Sequence, residues 1–287
     1  MSSFAIVTVI HDSALELPLL LDSVELLPEP RPRVIVVDSG SSDRGPALAA
    51  ERGAEVVTLE GNRGFGAGCN AGLERVTERV TAFVNPDVEL LDDGLARLAL
   101  DASTGRALLA PRLLNADGSV QDSAHPLPGR LETLIPALLP RRLLPTRFEP
   151  WRSEATRDVG WAVAACILGR TDDLRAIGPF DPDAFLFYED MELCLRAHRA
   201  GIPTLLRPDV AVRHLGGAST SRALADRDLD LRARRRREVV VQEGRLPLVV
   251  DDLAEALTYA LRGAAKALRG GGQLERRRLG ALLRARR

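Results

Sequence analysis

At 287 residues the chain can form one large domain, or one domain with a helical appendage, and it can bury a sizeable core. Hydrophobic residues at 45% and charged residues at 28%, with a net charge of −1, fit a soluble globular protein and exclude the strongly basic balance of a general nucleic-acid binder. No run approaches the roughly 18 apolar residues of a membrane span, no signal peptide is expected, and Cys69, Cys166 and Cys194 lack disulfide or zinc spacing, so a reducing, cytoplasmic setting is expected.

The N-terminal half alternates strands and helices. Phe4 to Ile10 is apolar and β-branched and reads as a buried strand; Leu15 to Leu27 has helical periodicity. Arg33 to Val37 is a second strand, running into Asp38-Ser39-Gly40-Ser41-Ser42-Asp43. Gly45 to Arg52 reads as a helix and Ala54 to Leu59 as a third strand. A Gly-rich segment leads to a helix expected over Cys69 to Glu78. Thr81 to Val84 is a fourth strand, ending at Asn85-Pro86-Asp87. This alternation predicts a mostly parallel, Rossmann-like α/β sheet flanked by helices, with its polar clusters at the carboxyl ends of strands, where such sheets bind ligands.

The pattern breaks between Gln121 and Arg157, a Leu-, Pro- and Arg-rich excursion with short helical pieces expected. It resumes with a strand-like run over Gly160 to Arg170. A helix follows from Glu189 to Ala200, with Met191, Cys194, Leu195 and His198 expected on its core face, and then two short strands, Thr204 to Leu206 and Val210 to His214. Beyond Ser221 the chain is charged and helical.

Five constellations can carry chemistry. Asp38, straight after a buried strand, can accept hydrogen bonds from a nucleobase or a ribose; the same residues also make a good helix cap. In Asn62-Arg63-Gly64-Phe65-Gly66-Ala67-Gly68-Cys69-Asn70-Ala71-Gly72, glycines allow backbone to approach a phosphate. Gly66, Gly68 and Ala71 also satisfy G-x-G-x-x-A, the fingerprint of a nicotinamide-dependent oxidoreductase, although Asn62 and Arg63 stand where the fingerprint's strand should end. Asp87 projects from a strand end and is a candidate for Mg2+ or Mn2+. Glu189 and Asp190 open a helix, whose dipole is expected to hold a carboxylate ionised, as a general base must be. His214 ends a strand and is a candidate metal ligand, or a structural histidine.

In this order and spacing the residues resemble the family 2 glycosyltransferases, closest to the rhamnosyltransferase-like branch, over Phe4 to Thr220. The resemblance implies a GT-A fold and inverting transfer of a sugar from a nucleotide diphosphate, with rhamnose from dTDP-rhamnose as the first expectation and UDP-sugars next, in cell-wall polysaccharide synthesis. It implies that Asp38 contacts the nucleoside and that Asn62, Gly64, Phe65 and Asn70 line the nucleotide pocket. It places Asp87 at the metal-binding motif, His214 as the second metal ligand, and Asp190 as catalytic base with Glu189 beside it. Ile10-His11-Asp12 departs from the family's Thr-Tyr-Asn, Ser39 replaces an Asn, Pro179 and Pro182 replace Gly and Glu, and Glu192 replaces an Asp.

The expected organisation is a GT-A domain over residues 1–220, with a nucleotide-sugar half (1–115) and an acceptor half (116–220), followed by a basic helical extension over 221–287. The extension has two basic blocks, Arg232 to Arg237 and Arg262 to Arg287, the latter with Glu275 as its sole acid. Interleaved Leu and Arg fit either peripheral contact with the inner face of an anionic plasma membrane, and hence a polyprenyl-pyrophosphate-linked acceptor, or a solvated face or homodimer contact. Two further readings of the whole chain are the oxidoreductase and a non-catalytic nucleotide-sugar-binding protein.

Overall fold

The computed structural model describes residues 4–139, 143–178, 180–181, 184–216, 227–268 and 270–286. The expected boundary at residue 220, together with Pro179 and Pro182, lies outside these. In chain order the strands are β1 (Phe4–Ile10), β2 (Arg33–Asp38), β3 (Glu55–Thr58), β4 (Val80–Val84), β5 (Val88–Leu90), β6 (Leu108–Leu114), β7 (Ala124–His125), β8 (Arg157–Val159), β9 (Trp161–Ala162), β10 (Cys166–Arg170) and β11 (Thr204–His214). The helices are α1 (Leu17–Glu25), α2 (Gly45–Glu51), α3 (Phe65–Arg75), α4 (Gly94–Thr104), α5 (Ile135–Leu138), α6 (Thr171–Ile177), α7 (Glu189–Arg199), α8 (Arg227–Val240), α9 (Arg245–Ala267) and α10 (Gln273–Ala285).

Nine strands form one sheet in the order β3-β2-β1-β4-β10-β6-β11-β5, with β8 on β11. The β3-β2-β1-β4 half is parallel, as is β6-β11; β10, β5 and β8 run against their neighbours. Every residue of β1 and β4 is buried, because helices cover both faces of a parallel sheet. The expected mostly parallel α/β architecture is therefore observed.

Three local expectations are corrected. Helix α3 begins at Phe65, four residues before the expected Cys69, so Gly66 and Gly68 are helical. A Cβ on Gly68 would stand 2.6 Å from Val9 and one on Gly72 2.3 Å from Val7. These glycines let α3 lie directly on β1, a packing role that the fingerprint match concealed. The strands expected at Thr204–Leu206 and Val210–His214 are one strand, β11. Pro208 lacks an N–H for the ladder, and the register against β6 shifts between Arg207 and Ala211. The run Gly160–Arg170 is split into β9 and β10, in different sheets.

The C-terminal helices fold back onto the rest. Val239 and Val240 belong to the same hydrophobic core as Met191 and Leu195 of α7. Arg236 makes a two-pronged salt bridge with buried Asp251 at 2.8 Å, and Arg237 pairs with buried Asp252. Arg232 lies over the Phe187 ring, 3.7 Å from its centre, and Arg236 over Tyr188 at 5.6 Å. Arg235, Arg236 and Arg237 of this block are thus partly buried in a packed seam, while Arg232 and Arg234 are exposed, so a solvated face describes only part of it.

Candidate active site

The carboxyl ends of β1 and β2 are pinned to one another. Asp12 Oδ1 accepts the Ser42 amide at 2.6 Å, and the Asp43 carboxylate accepts the Ala14 amide at 2.7 Å. His11 Nδ1 lies 2.9 Å from the Ser39 carbonyl. Asp38 is buried at the end of β2, where its Oδ1 accepts the Ser41 amide at 2.8 Å. The next loop is tied to this one, since Ser39 Oγ accepts the Arg63 amide at 2.9 Å and Asn62 Oδ1 accepts the Gly64 amide at 3.0 Å. Gly64, at φ +83°, leads into α3 so close to Phe185 that a Cβ would sit 2.1 Å from the Phe185 carbonyl oxygen. Only glycine fits there.

Asn70 turns away from this loop. Its side-chain amide makes a double hydrogen bond with the backbone of Phe180, at 3.0 and 3.1 Å. Phe180 in turn meets Phe65 and Phe83 edge to face, at 5.7 and 5.1 Å. Asn70 and Phe65 therefore hold the segment before α7 against α3.

Between β4 and β5, Asp87 faces His214, with Oδ1 and Nε2 3.4 Å apart. β11 brings them together: His214 pairs in register with Val88, and the Leu215 amide donates to the Asp87 carbonyl at 3.0 Å. Each is 9% exposed, enough for a ligand to reach them. Gln121, which the sequence reading passed over, lies 2.9 Å from His214 Nδ1 through its Oε1, while its Nε2 donates to Asn115 Oδ1 at 3.2 Å. With that oxygen facing Nδ1, the far nitrogen Nε2 is left facing Asp87 Oδ1 and the Asn85 side-chain nitrogen, each 3.4 Å away. Two ligands of one octahedral Mg2+ or Mn2+ ion stand about 3 Å apart, so the pair fits such an ion. Among the described residues no cluster of three or more His, Cys, Asp or Glu forms a fuller cage.

Tyr188 and Phe187, just ahead of α7, hold left-handed backbone at φ +59° and +74°. Such strain in non-glycine residues persists where the surroundings impose it, often at functional sites. Here Arg232 and Arg236 stack on both rings. Asp190 is half-buried; its Oδ1 accepts the Met191 amide at 2.7 Å and its Oδ2 the Ala164 amide at 3.4 Å. These bonds favour its ionised form, as expected of a helix start. Burial opposes them and wins, so the Asp190 carboxyl sits above the usual carboxylate range. Burial and the neighbouring Asp190 charge raise Glu189 further, and its buried Oε2 has no hydrogen-bond partner. Of the two, Asp190 is the one poised to ionise near neutral pH. His198, expected on the core face of α7, is exposed; Leu193 and Ala197 take that face with Met191, Cys194 and Leu195.

The clusters meet on one edge of the sheet. Ala164 donates to Asp190, while the adjoining Ala165 carbonyl accepts the Asn85 amide at 2.8 Å, beside Asp87. Gly64 abuts Phe185, three residues before Tyr188.

Known proteins resemble this chain in sequence and in fold. The model of the family described as "Glycosyl transferase family 2" matches residues 5–167. The N-acetylglucosaminyl-diphospho-decaprenol L-rhamnosyltransferase of Mycobacterium tuberculosis is 29% identical over 238 residues, covering 76% of this chain and 77% of that protein. The low-salt glycan biosynthesis hexosyltransferase Agl10 of Haloferax volcanii is 26% identical over 176 residues, 58% of this chain and 54% of that one. Among solved structures, the mannosyltransferase PcManGT from Pyrobaculum calidifontis, in complex with GDP-Man and Mn2+, superposes with a TM-score of 0.61 at 15% identity, covering 99% of this chain and 85% of that one. S. aureus TarS 1-349 gives 0.56 at 15% identity, covering 90% and 70%. These likenesses establish a GT-A fold and leave no place for the oxidoreductase reading, whose glycines are helix-packing residues. The chain belongs to glycosyltransferase family 2 and is a rhamnosyltransferase-like glycosyltransferase of GT-A fold.

Proposed function

We propose that the protein is an inverting, divalent-metal-dependent transferase that moves a rhamnosyl group from dTDP-rhamnose to a hydroxyl of a diphospho-polyprenol-linked glycan in cell-wall synthesis. The observation that carries the reading is the convergence of the Asp87–His214 pair and the half-buried Asp190 on the edge where the Asp38 and Gly64 loops meet. The M. tuberculosis relative's name supplies the acceptor class and the sugar. Residues 1–115 form the donor half and 116–220 the acceptor half in this reading.

The Asp38 loop and the backbone around Asn62 and Gly64 hold the nucleoside diphosphate. Asp87 and His214 hold Mn2+ or Mg2+, which when bound offsets the negative charge of the departing diphosphate. Asp190 accepts the proton of the acceptor hydroxyl as that oxygen forms a bond to the anomeric carbon. The bond from that carbon to the diphosphate oxygen breaks, and the nucleoside diphosphate leaves with the electron pair. Attack from the face opposite the leaving group inverts the carbon. Glu189, held neutral by burial, leaves Asp190 as the ionised member of this adjacent pair.

No helix among the described residues is long and apolar enough to cross a membrane. Contact with a membrane surface is read from α9, where Leu246, Val249 and Leu253 are exposed at i, i+3 and i+7. Serine at all three positions is expected to lower binding to anionic liposomes; unchanged binding removes this part of the proposal. The donor and metal are tested by screening nucleotide sugars for hydrolysis with and without Mn2+ or Mg2+. The reading expects dTDP-rhamnose hydrolysis that depends on the added ion, and equal rates without the ion contradict it.

A further inference from the structure

A cavity of about 360 Å³ lies beside the base, outside the donor cluster. Its walls come from β7, β9, the excursion after His125, and helices α9 and α10. Asp122 lines it and directly follows Gln121, which holds His214. Tyr188 lines it and directly precedes Glu189 and Asp190. It therefore adjoins, through the chain, both halves of the chemical apparatus, and no residue of the Asp38 or Gly64 loops lines it.

The lining has a particular chemistry. His125 and Trp161 stack with ring centres 4.1 Å apart, and Tyr188 meets Trp161 edge to face at 6.3 Å. Phe148 and Trp151 extend the aromatic wall. The carboxylates in the lining have partners: Asp251 is held by Arg236, Glu149 by Arg152 and Glu255 by Tyr259, and Asp122 lies 3.7 Å from the His125 ring. Two arginines in the same lining, Arg262 and Arg278, make no salt bridge to a carboxylate among the described residues; Arg278 approaches the Tyr259 ring, at 5.9 Å, and acts at longer range on Glu275, which Lys266 already holds. The cavity thus combines aromatic faces, which suit a sugar ring, with two guanidinium groups free of salt bridges among the described residues, which suit a diphosphate.

We propose that this cavity is the acceptor site, that it receives a sugar linked through a diphosphate, and that Arg262 and Arg278 of the C-terminal helices hold the diphosphate. The proposal rests on the reading of Asp190 as base and of a diphosphate-linked acceptor. It gives the C-terminal extension a part in substrate binding, since α9 and α10 supply the charge that the GT-A core does not.

The chain offers its own reporter. Its two tryptophans, Trp151 and Trp161, both line the cavity, so intrinsic tryptophan fluorescence reads occupancy without turnover. The probe is N-acetylglucosaminyl-diphospho-farnesol, titrated into the full chain without donor. A saturable fluorescence change is expected, weakened about tenfold for each of Arg262→Ala and Arg278→Ala, the loss typical of a charge-assisted hydrogen bond. Inorganic pyrophosphate is expected to compete with the probe, and dTDP with Mn2+ to leave the signal unmoved. In turnover the same variants raise the KM for the probe and leave the KM for the donor and the melting temperature unchanged. No response to the probe, or equal affinity in the double variant Arg262→Ala/Arg278→Ala, overturns the assignment. Asp190→Asn separates this proposal from the one beneath it. If that variant turns over normally while the arginine variants lose binding, the base assignment falls and the cavity stands. If it is inactive while the arginine variants bind as wild type, the cavity falls and the base stands.

Discussion

Gln121 Oε1 lies 2.9 Å from His214 Nδ1, and through it the far nitrogen of His214 is turned toward Asp87, 3.4 Å away. The polarity of this arrangement is fixed by a further link, Gln121 Nε2 to Asn115 Oδ1. Partners of this kind orient a metal ligand, and their loss typically costs about 10–100-fold in metal affinity. Gln121→Leu is therefore expected to weaken Mn2+ binding by about that factor, measured by electron paramagnetic resonance, with the melting temperature of the metal-free protein little changed. Unaltered Mn2+ affinity in the variant contradicts a metal role for His214.

Glu189 makes a prediction about pH. Its carboxyl is raised from 4.5 to about 8, first by burial and then by Asp190. The folded state therefore binds more protons here than the unfolded chain, so stability falls as pH rises from about 4.5 through about 8. Glutamine is neutral and of the same shape. Glu189→Gln is expected to raise the melting temperature at about pH 9 and to change it little at about pH 5, with activity retained at neutral pH because the native carboxyl is already protonated there. A variant that is inactive at neutral pH, or that melts with the wild-type pH dependence, counts against the neutral role given to Glu189.

Arg236 tests whether the C-terminal helices are integral to the catalytic region. It is bonded twice to Asp251, a residue with 3% side-chain exposure, and it covers Tyr188. Removing one partner of a buried pair typically costs about 3–5 kcal/mol, because the other charge is left unpaired. Arg236→Ala should show a loss of that order in urea unfolding, with a single cooperative transition retained. Asp251→Asn in the same background should recover part of it.

Much of the architecture was legible because buried parallel strands are uniform apolar runs. Phe4–Ile10, Arg33–Asp38 and Val80–Val84 stand where their residues place them, and the polar clusters fall at their carboxyl ends. The misreadings have physical causes. Glycine at 68 and 72 marks loops in most sequences, but here it removes side chains so that α3 can lie on β1, a requirement set by Val7 and Val9 far away in sequence, while Gly66 makes room for Phe180. Pro208 reads as a break, and the sheet absorbs it as a bulge. Gln121 has no local pattern at all; it matters only because β11 carries His214 to it across 93 residues. The raised carboxyls at 189 and 190 follow from burial by elements that local sequence does not specify. The same holds for Arg232 and Arg236, whose stacking on Phe187 and Tyr188 only the folded chain reveals.

The central claim is that Asp190 takes the proton of the acceptor hydroxyl. The direct test is the turnover of Asp190→Asn with dTDP-rhamnose, Mn2+ and N-acetylglucosaminyl-diphospho-farnesol, alongside its affinity for dTDP with Mn2+. Asparagine keeps the size and can still accept the Ala164 amide, but it cannot take a proton at neutral pH. The account predicts that kcat falls by about 10²–10⁴ while donor-nucleotide affinity stays as in the wild type. Turnover within a few-fold of wild type contradicts it.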